Sequence, residues 1–598
     1  MKSIFFKPVF LWAVLAGTIA LSSCKKILDV QPENVLTGEQ TYRNVFDADA
    51  AVLGVYGKMM QLAKPYVVLN ELRADLMSPT GNADLYLQQL NNHTVTTDNP
   101  LVSLTPFYEV ILNCNDVMAN FNKMLAEKKL KADEYNQRYS DVAAVRSWVY
   151  LQLGIHFSKD AQGTVGIPYV TNPLTTIADV KSDSAYKYLP FRQLLAELIK
   201  TMETVPTKEI YTTTTTLITT VDQYRTDKFY ISKKVLLGDL YLWNAAYDPG
   251  SYRKAADQYR QIISYYDDKG NENTQKNYWK LVGSIDVSIG NQLSVQYVRY
   301  RESDVNSLYE SNTEGWRSMF SRGKVSYDQQ FDWEWIWVLP FSSNFAPKNP
   351  FVDLFSPVGG SYLVKPSQQA MDGWNNQVQR NLFPYDARGR FTYKNIGGQP
   401  VIMKYLYYYL DGNTFQPTVN ANGRIAEWWL YRASSVWQHF GEAANRDGYP
   451  KLGYAIVNQG INSTYTPNPA PADVTNVQQT LIPYPYNFDA RFGDNPQYRS
   501  IYRDMAGLRG RAYLRSRDLV GTDSTTQVEN MLVDEAGLEL AYEGQRWADL
   551  LRVAIRRNDP AFIADKVYAK LQKDGNGNAA AARTKLMQRE YYLPFKWQ

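Results

Sequence analysis

Between residues 229 and 266, Leu237-Gly238-Asp239-Leu240-Tyr241 leads through the turn Asp248-Pro249-Gly250 into Ala255-Ala256-Asp257-Gln258-Tyr259. Apolar residues return here at three- and four-residue steps, the period of one helix face. Pro249 and Gly250 interrupt the run where two helices would fold back on each other. Small residues at 238 and 255 let the two backbones approach closely. One such hairpin cannot bury its own apolar face, so it requires neighbouring helices stacked on it.

The pattern resembles a tetratricopeptide-like helix hairpin, with Lys234 where that repeat carries a tryptophan. Candidate neighbours lie on both sides. Val45, Ala48, Val52, Val55, Tyr56 and Met59 share a helix face, and Pro65 is expected to end that run. A second pair is predicted over 105–126 and 132–157. Residues 206–223, with five threonines from Thr212, read as a surface loop. From 283 to 422, glycine, proline and asparagine punctuate short apolar runs, which predicts long loops and a few strands; Phe331 to Trp337 is strand-like. Helix is expected again over 428–445, 451–461 and 527–553, with an Asn/Pro-rich excursion over 462–497. The predicted fold is mainly α: tetratricopeptide-like helix pairs in an α-α superhelix, packed against a less regular, loop-rich region with short strands. The expected organisation is 39–282 for the N-terminal helical region and 283–598 for the C-terminal region.

The first residues carry a different signal. Lys2 and Lys7 precede an apolar run from Pro8 to Leu21, followed by Ser22-Ser23-Cys24. Charged, apolar and small residues in that order mark an export signal over 1–23. The run is shorter than the roughly 20 residues a spanning helix needs. Leu21-Ser22-Ser23-Cys24 resembles a bacterial lipobox, so Cys24 is the expected lipid attachment site and 24–38 a tether. Acyl chains contribute about 0.8 kcal/mol per buried methylene, so several on one cysteine anchor durably.

Among 598 residues, 64 basic side chains nearly balance 60 acidic ones, which leaves no basic field for nucleic acid. Cys24 and Cys114 are the two cysteines; with Cys24 lipidated, Cys114 has no disulfide partner and is expected buried. His93, His156 and His439 are far apart in sequence, and no close-spaced His/Cys set points to a metal. There is no G-x-S-x-G elbow and no phosphate-binding loop. Gly575-Asn576-Gly577 sits in an Asp/Asn-rich loop with no strand before it and is not a dinucleotide fingerprint.

The densest motif is Asp534-Glu535-x-x-x-Glu539-Leu540-Ala541-Tyr542-Glu543-Gly544-x-Arg546-Trp547-x-Asp549-Leu550-x-Arg552. On one continuous helix, Glu535, Glu539 and Glu543 would line one face. Such a stripe could be read as paired acids for glycoside hydrolysis or as a metal site. Stacked like charges repel, however, and need cations nearby; Arg546 and Arg552 follow, so an internal ion-pair network is the preferred reading. The segment resembles the hallmark of the SusD/RagB family of outer-membrane nutrient-binding lipoproteins, with Ala536 and Tyr542 where the family carries arginine and phenylalanine. Further resemblances run along the chain: Cys24 to Pro32, Glu71-Leu72-Arg73-Ala74-Asp75, Asn113-Cys114-Asn115, Lys365-Pro366-Ser367, Asp386-x-Arg388, Trp429-Leu430-Tyr431-Arg432 with Glu442-Ala443-x-Asn445, and Tyr592-Leu593-Pro594.

The resemblance implies a lipid-anchored protein on the outer face of the outer membrane. It would lie as a lid over a SusC-type TonB-dependent transporter, bind glycans or other oligomeric nutrients, and use no cofactor and perform no catalysis. Surface glycoside hydrolase and a structural lid that touches no ligand are the competing readings. Family ligand contacts come from variable loops, so the ligand residues rest on position and chemistry. Aromatic rings stack on sugar faces while Asn, Asp and Arg bond hydroxyls. Asp75, Asn82 and Tyr86, together with Trp316 and Arg317, are the candidates. Trp333, Trp335 and Trp337 alternate along one strand and are expected to pack the core.

Overall fold

Ala48, Val52, Val55, Tyr56 and Met59, with Val45 half-buried beside them, form the inner face of α1 (Val45–Met59), which opens with the Asn44 side chain accepting the Phe46 and Asp47 N–H groups. The computed structural model describes residues 41–596, apart from 160–165, 175–178, 180–185, 207–214, 223, 264–317, 322–333, 381, 419–424, 466–481 and 489–506. Pro65 does not end the helical run. It lies in the first turn of α2 (Ala63–Glu71), where a missing N–H leaves no helix bond unmade. A short helix α3 (Leu85–Asn91) follows, capped by Asp84 accepting the Leu87 N–H.

The predicted pair is present as α4 (Thr105–Ala126) and α5 (Ala132–Phe157), packed on each other and on α1. Helix α5 is buried on every side from Ser140 onward, as a central helix must be. Two of its buried charges are paired: Asp141 lies 2.6 Å from Lys233 Nζ, and Arg146 donates to Asn115 Oδ1 at 2.7 Å. Cys114 on α4 is buried and free, with its thiol pushed up to about 12 by burial.

Two close approaches set the stack. A Cβ on Gly154 of α5 would fall 2.7 Å from the Phe191 ring of α6 (Phe191–Thr204). A Cβ on Gly238 of α7 (Lys233–Asn244) would fall 2.5 Å from the Tyr259 ring of α8 (Ser251–Ile263). Each aromatic ring therefore lies flush on backbone of the partner helix. The stack then passes from α8 to α9 (Ala433–Arg446), although residues 264–432 separate them in sequence, and on to α10 (Pro450–Val457) and α11 (Ser524–Glu539). The last helices are α12 (Arg546–Arg557), α13 (Ala561–Lys573) and α14 (Ala579–Met587).

Strands are few and short. β1 (Met77–Pro79) pairs antiparallel with β3 (Val364–Pro366), and β2 (Trp335–Phe341) with β4 (Ala426–Arg432). A two-strand ribbon is marginal alone in water, but every residue of β2 is buried. Trp148 of α5 meets Trp337 and Trp428 edge-on at 5.4 and 6.2 Å, and Trp337 Nε1 donates to the Phe229 carbonyl at 2.9 Å. Trp335 and Trp337 thus pack the core; Trp333 lies outside the described residues. The helix expected from Trp428 is strand up to Arg432, because Trp428, Trp429 and Tyr431 are taken up by Trp148 of α5, Tyr405 and Trp337 of β2. The helix expected over 451–461 is two pieces, α10 and a short helix Ile461–Tyr465. The expected boundary at 282/283 lies outside the described residues. The described core is nearly continuous, with one small satellite around Val528. No helix of the described residues is long and apolar enough to cross a membrane.

Candidate functional site

The signature does not form one helix. Glu535 and Glu539 stand one turn apart on α11, which ends at Glu539, and Glu543 follows in the turn before α12. The chain turns there because Tyr542 and Gly544 have φ of 70° and 84°. A Cβ at Gly544 would also lie 2.3 Å from the Tyr66 ring. The Glu71 carboxylate accepts the Gly544 and Gln545 N–H groups at 2.8 and 3.2 Å, capping α12 from another element.

All three glutamates are buried, and cations converge on them from four distant segments. Arg388 bridges Glu535 at 2.6 Å and Glu539 at 2.7 Å while holding Asp386 at 2.6 Å. Arg432 reaches Glu334, Glu539 and Glu543 at 2.7–2.8 Å. Lys404 pairs with Glu543 at 2.6 Å, Arg509 with Glu535 at 3.0 Å, and Arg511 with Glu334 at 3.1 Å. Five carboxylates therefore face five cations. Burial opposes ionisation of Glu539, yet Arg432 and Arg388 hold its carboxyl well below the usual range. The same cations close α11: Arg432 and Lys404 donate to the Glu539 carbonyl at 2.7 and 3.0 Å, and Trp374 Nε1 to that of Leu538 at 3.1 Å. This stripe is structural, since its oxygens are bonded and closed to solvent.

Arg546 and Arg552, expected to serve the stripe, serve other acids. Arg546 grips Asp75 with a two-pronged contact at 2.7 and 2.8 Å, joining α12 to the residue two before β1. Arg552 holds Glu442 of α9 at 2.7 Å and Asp549 at 2.8 Å. His439 lies between Asp239 at 2.9 Å and Asp549 at 3.4 Å, so α7, α9 and α12 meet on one imidazole. Burial would discharge that ring, but the two carboxylates push it up to about 9. Among the described residues, no group of three or more His, Cys, Asp or Glu is arranged to hold a metal ion.

The expected ligand residues fall in different settings. Asn82, in the turn before α3, and Tyr86, in its first turn, are on the surface beside the exposed Leu85. Asn82 also donates to the Ser361 carbonyl at 3.1 Å, which ties this turn to the segment before β3. Asp75 is 2% exposed and wholly engaged by Arg546. It positions the loop that carries Asn82 and Tyr86, and has no free oxygen edge to offer a ligand.

Neither a protein-family model nor a curated protein matches the chain. Solved structures do. A SusD superfamily protein from Bacteroides vulgatus covers 89% of this chain and 93% of its own, at 15% identity and a TM-score of 0.54. A laminarin-binding SusD-like protein covers 92% of this chain and 98% of its own, at 14% identity and a TM-score of 0.52. Surface glycan-binding protein A from Bacteroides uniformis covers 92% and 95%, at 14% identity and a TM-score of 0.54. The fold is that of the SusD superfamily.

Within this SusD fold several of the motifs quoted above as resemblances are partners of one another. Asp386-x-Arg388 and Arg432 neutralise the glutamates, and Glu442 neutralises Arg552. Lys404, Arg509, Arg511 and Glu334 escape sequence reading because they lie in unpatterned segments far from Glu539. Trp316, Arg317 and Cys24 lie outside the described residues.

Proposed function

We propose that this chain is a lipid-anchored binding protein of the outer-membrane surface that captures glycans and delivers them to a SusC-type TonB-dependent transporter. The observation that carries the reading is the SusD fold, shared over 92% of the chain with proteins described as laminarin-binding and surface glycan-binding. Leu21-Ser22-Ser23-Cys24 supports the anchor, with residues 24–38 as a tether that leaves the body free to move as a lid. Asn82 and Tyr86, with Trp316 and Arg317, are the proposed ligand contacts. An exposed phenol ring and an amide four residues apart in sequence suit the apolar face and the hydroxyls of a sugar.

The test is affinity electrophoresis of the full chain against a polysaccharide panel that includes laminarin. Retardation by at least one glycan, weakened in Tyr86→Ala and Trp316→Ala, is the expected result. Release of reducing ends from the bound glycan would instead make the protein a hydrolase. Binding to no glycan, with nutrient uptake still lost on deletion, would leave a structural lid. Protease treatment of intact cells checks the outward orientation, which requires digestion.

A further inference from the structure

A cavity of about 370 Å³ opens between the end of α3, the loop after it and the C-terminal segment, at the small end of the roughly 300–1,000 Å³ range of ligand pockets. Neither Asn82 nor Tyr86 lines it. Arg73, His93, Lys159, Lys585, Glu590 and Tyr592 do, and the rest of the wall is apolar. Among the described residues, three cations against one carboxylate give the cavity a positive field.

Arg73 is the unusual member. It is 1% exposed, yet among the described residues no carboxylate lies within ion-pair distance of it, in contrast to Arg388, Arg432, Arg546 and Arg552. Its Nη1 contacts His156 Nδ1 at 3.2 Å, its Nη2 donates to the Tyr591 carbonyl, and its face lies 3.9 Å from the Trp547 ring. Its buried Nε has no partner. Lys570, directly behind, is also buried and spends its ammonium on the Leu72 and Ala74 carbonyls at 2.9 and 3.2 Å. Lys585 donates to the His93 carbonyl at 3.0 Å, which uses one of its three donors. His93 feels the excess: burial and then Arg73 push its ring down to about 3.

A buried guanidinium without a counter-anion is costly, and a carbonyl and a ring face offset only part of that cost. We propose that this cavity binds the carboxylate of a small organic acid, with the Lys585 ammonium as its donor, the uncompensated Arg73 guanidinium as the charge beside it, and Tyr592 beside the body of the ligand. An anion there supplies the charge the fold leaves out. Charge-assisted bonds from an ammonium to a carboxylate are the strong ones. This site is independent of glycan capture at Asn82 and Tyr86.

The probe is sodium glucuronate, titrated calorimetrically into the full chain in detergent micelles, with glucose as the neutral isostere and N-acetylalanine as a carboxylate without a sugar ring. Saturable binding of glucuronate with none of glucose is expected, weakened about tenfold or more in Lys585→Met, the scale of one charge-assisted hydrogen bond. Lys585 lies at the partly exposed rim, so this variant should fold; Arg73→Gln is the second, read only if its melting remains cooperative. N-acetylalanine binding as tightly as glucuronate assigns the site to acids in general, whereas binding only of glucuronate assigns it to acidic sugars; both uphold the carboxylate. Equal binding of glucose, no binding of either acid, or no loss in Lys585→Met overturns the proposal. Polysaccharide retardation that survives Lys585→Met but not Tyr86→Ala separates this site from the glycan face.

Discussion

Gly544 and His439 illustrate how single residues constrain this molecule. At Gly544 a side chain meets two obstacles at once, a φ of 84° and the Tyr66 ring 2.3 Å from where its Cβ would stand. Gly544→Ala should lower unfolding free energy by about 2–4 kcal/mol in denaturant titration, combining strain at positive φ with overpacking. His439 gives a pH signature. Its folded value of about 9 exceeds the ordinary 6.5, so its contribution is fully present below about pH 6.5 and is lost as pH rises through about 9. The amount is on the order of 3 kcal/mol. His439→Gln should flatten the stability curve between those limits; an unchanged slope would mean that Asp239 and Asp549 do not hold a charged ring. The residue types alone announce neither effect, because each depends on a neighbour more than 100 positions away.

At the scale of elements, α11 depends on what surrounds its C-terminal end. Arg432 from β4 touches three carboxylates and the last carbonyl of that helix. Arg432→Met leaves Glu334, Glu539 and Glu543 short of a counter-charge in a dry site, where breaking a buried pair costs about 3–5 kcal/mol. Arg432→Lys should recover little, because an ammonium cannot reach along several directions as a guanidinium fork does. Thermal unfolding of the two variants checks both statements. The carboxylate stripe was legible from spacing, and so was its need for cations. The break at Glu539 was not legible: Leu540 to Gln545 continue a plausible helical pattern, and only Glu71 capping α12 from outside makes two helices the better arrangement.

For the whole molecule, the decisive contact lies between the two ends of the chain. Asp75 near the start and Arg546 near the end grip each other in the core, with Glu71 bound to Gly544 alongside. Asp75→Asn strands the Arg546 charge and should cost about 3–5 kcal/mol. Amide exchange should then accelerate in α2 and α12 together, whereas loss of protection in only one would show that the ends are not coupled. Within the chain, three- and four-residue periodicity was enough to place α1, α4, α5, α7 and α8, because each needs only an apolar face and a close-packing small residue. That information is local. Which helix follows α8 in the stack, which cations meet Glu535 and Glu539, and why Asp75 is structural while Asn82 and Tyr86 stand on the surface were decided only in three dimensions. Those choices turn on buried charges finding partners across hundreds of residues, and low-dielectric pairing leaves no period in the sequence to read.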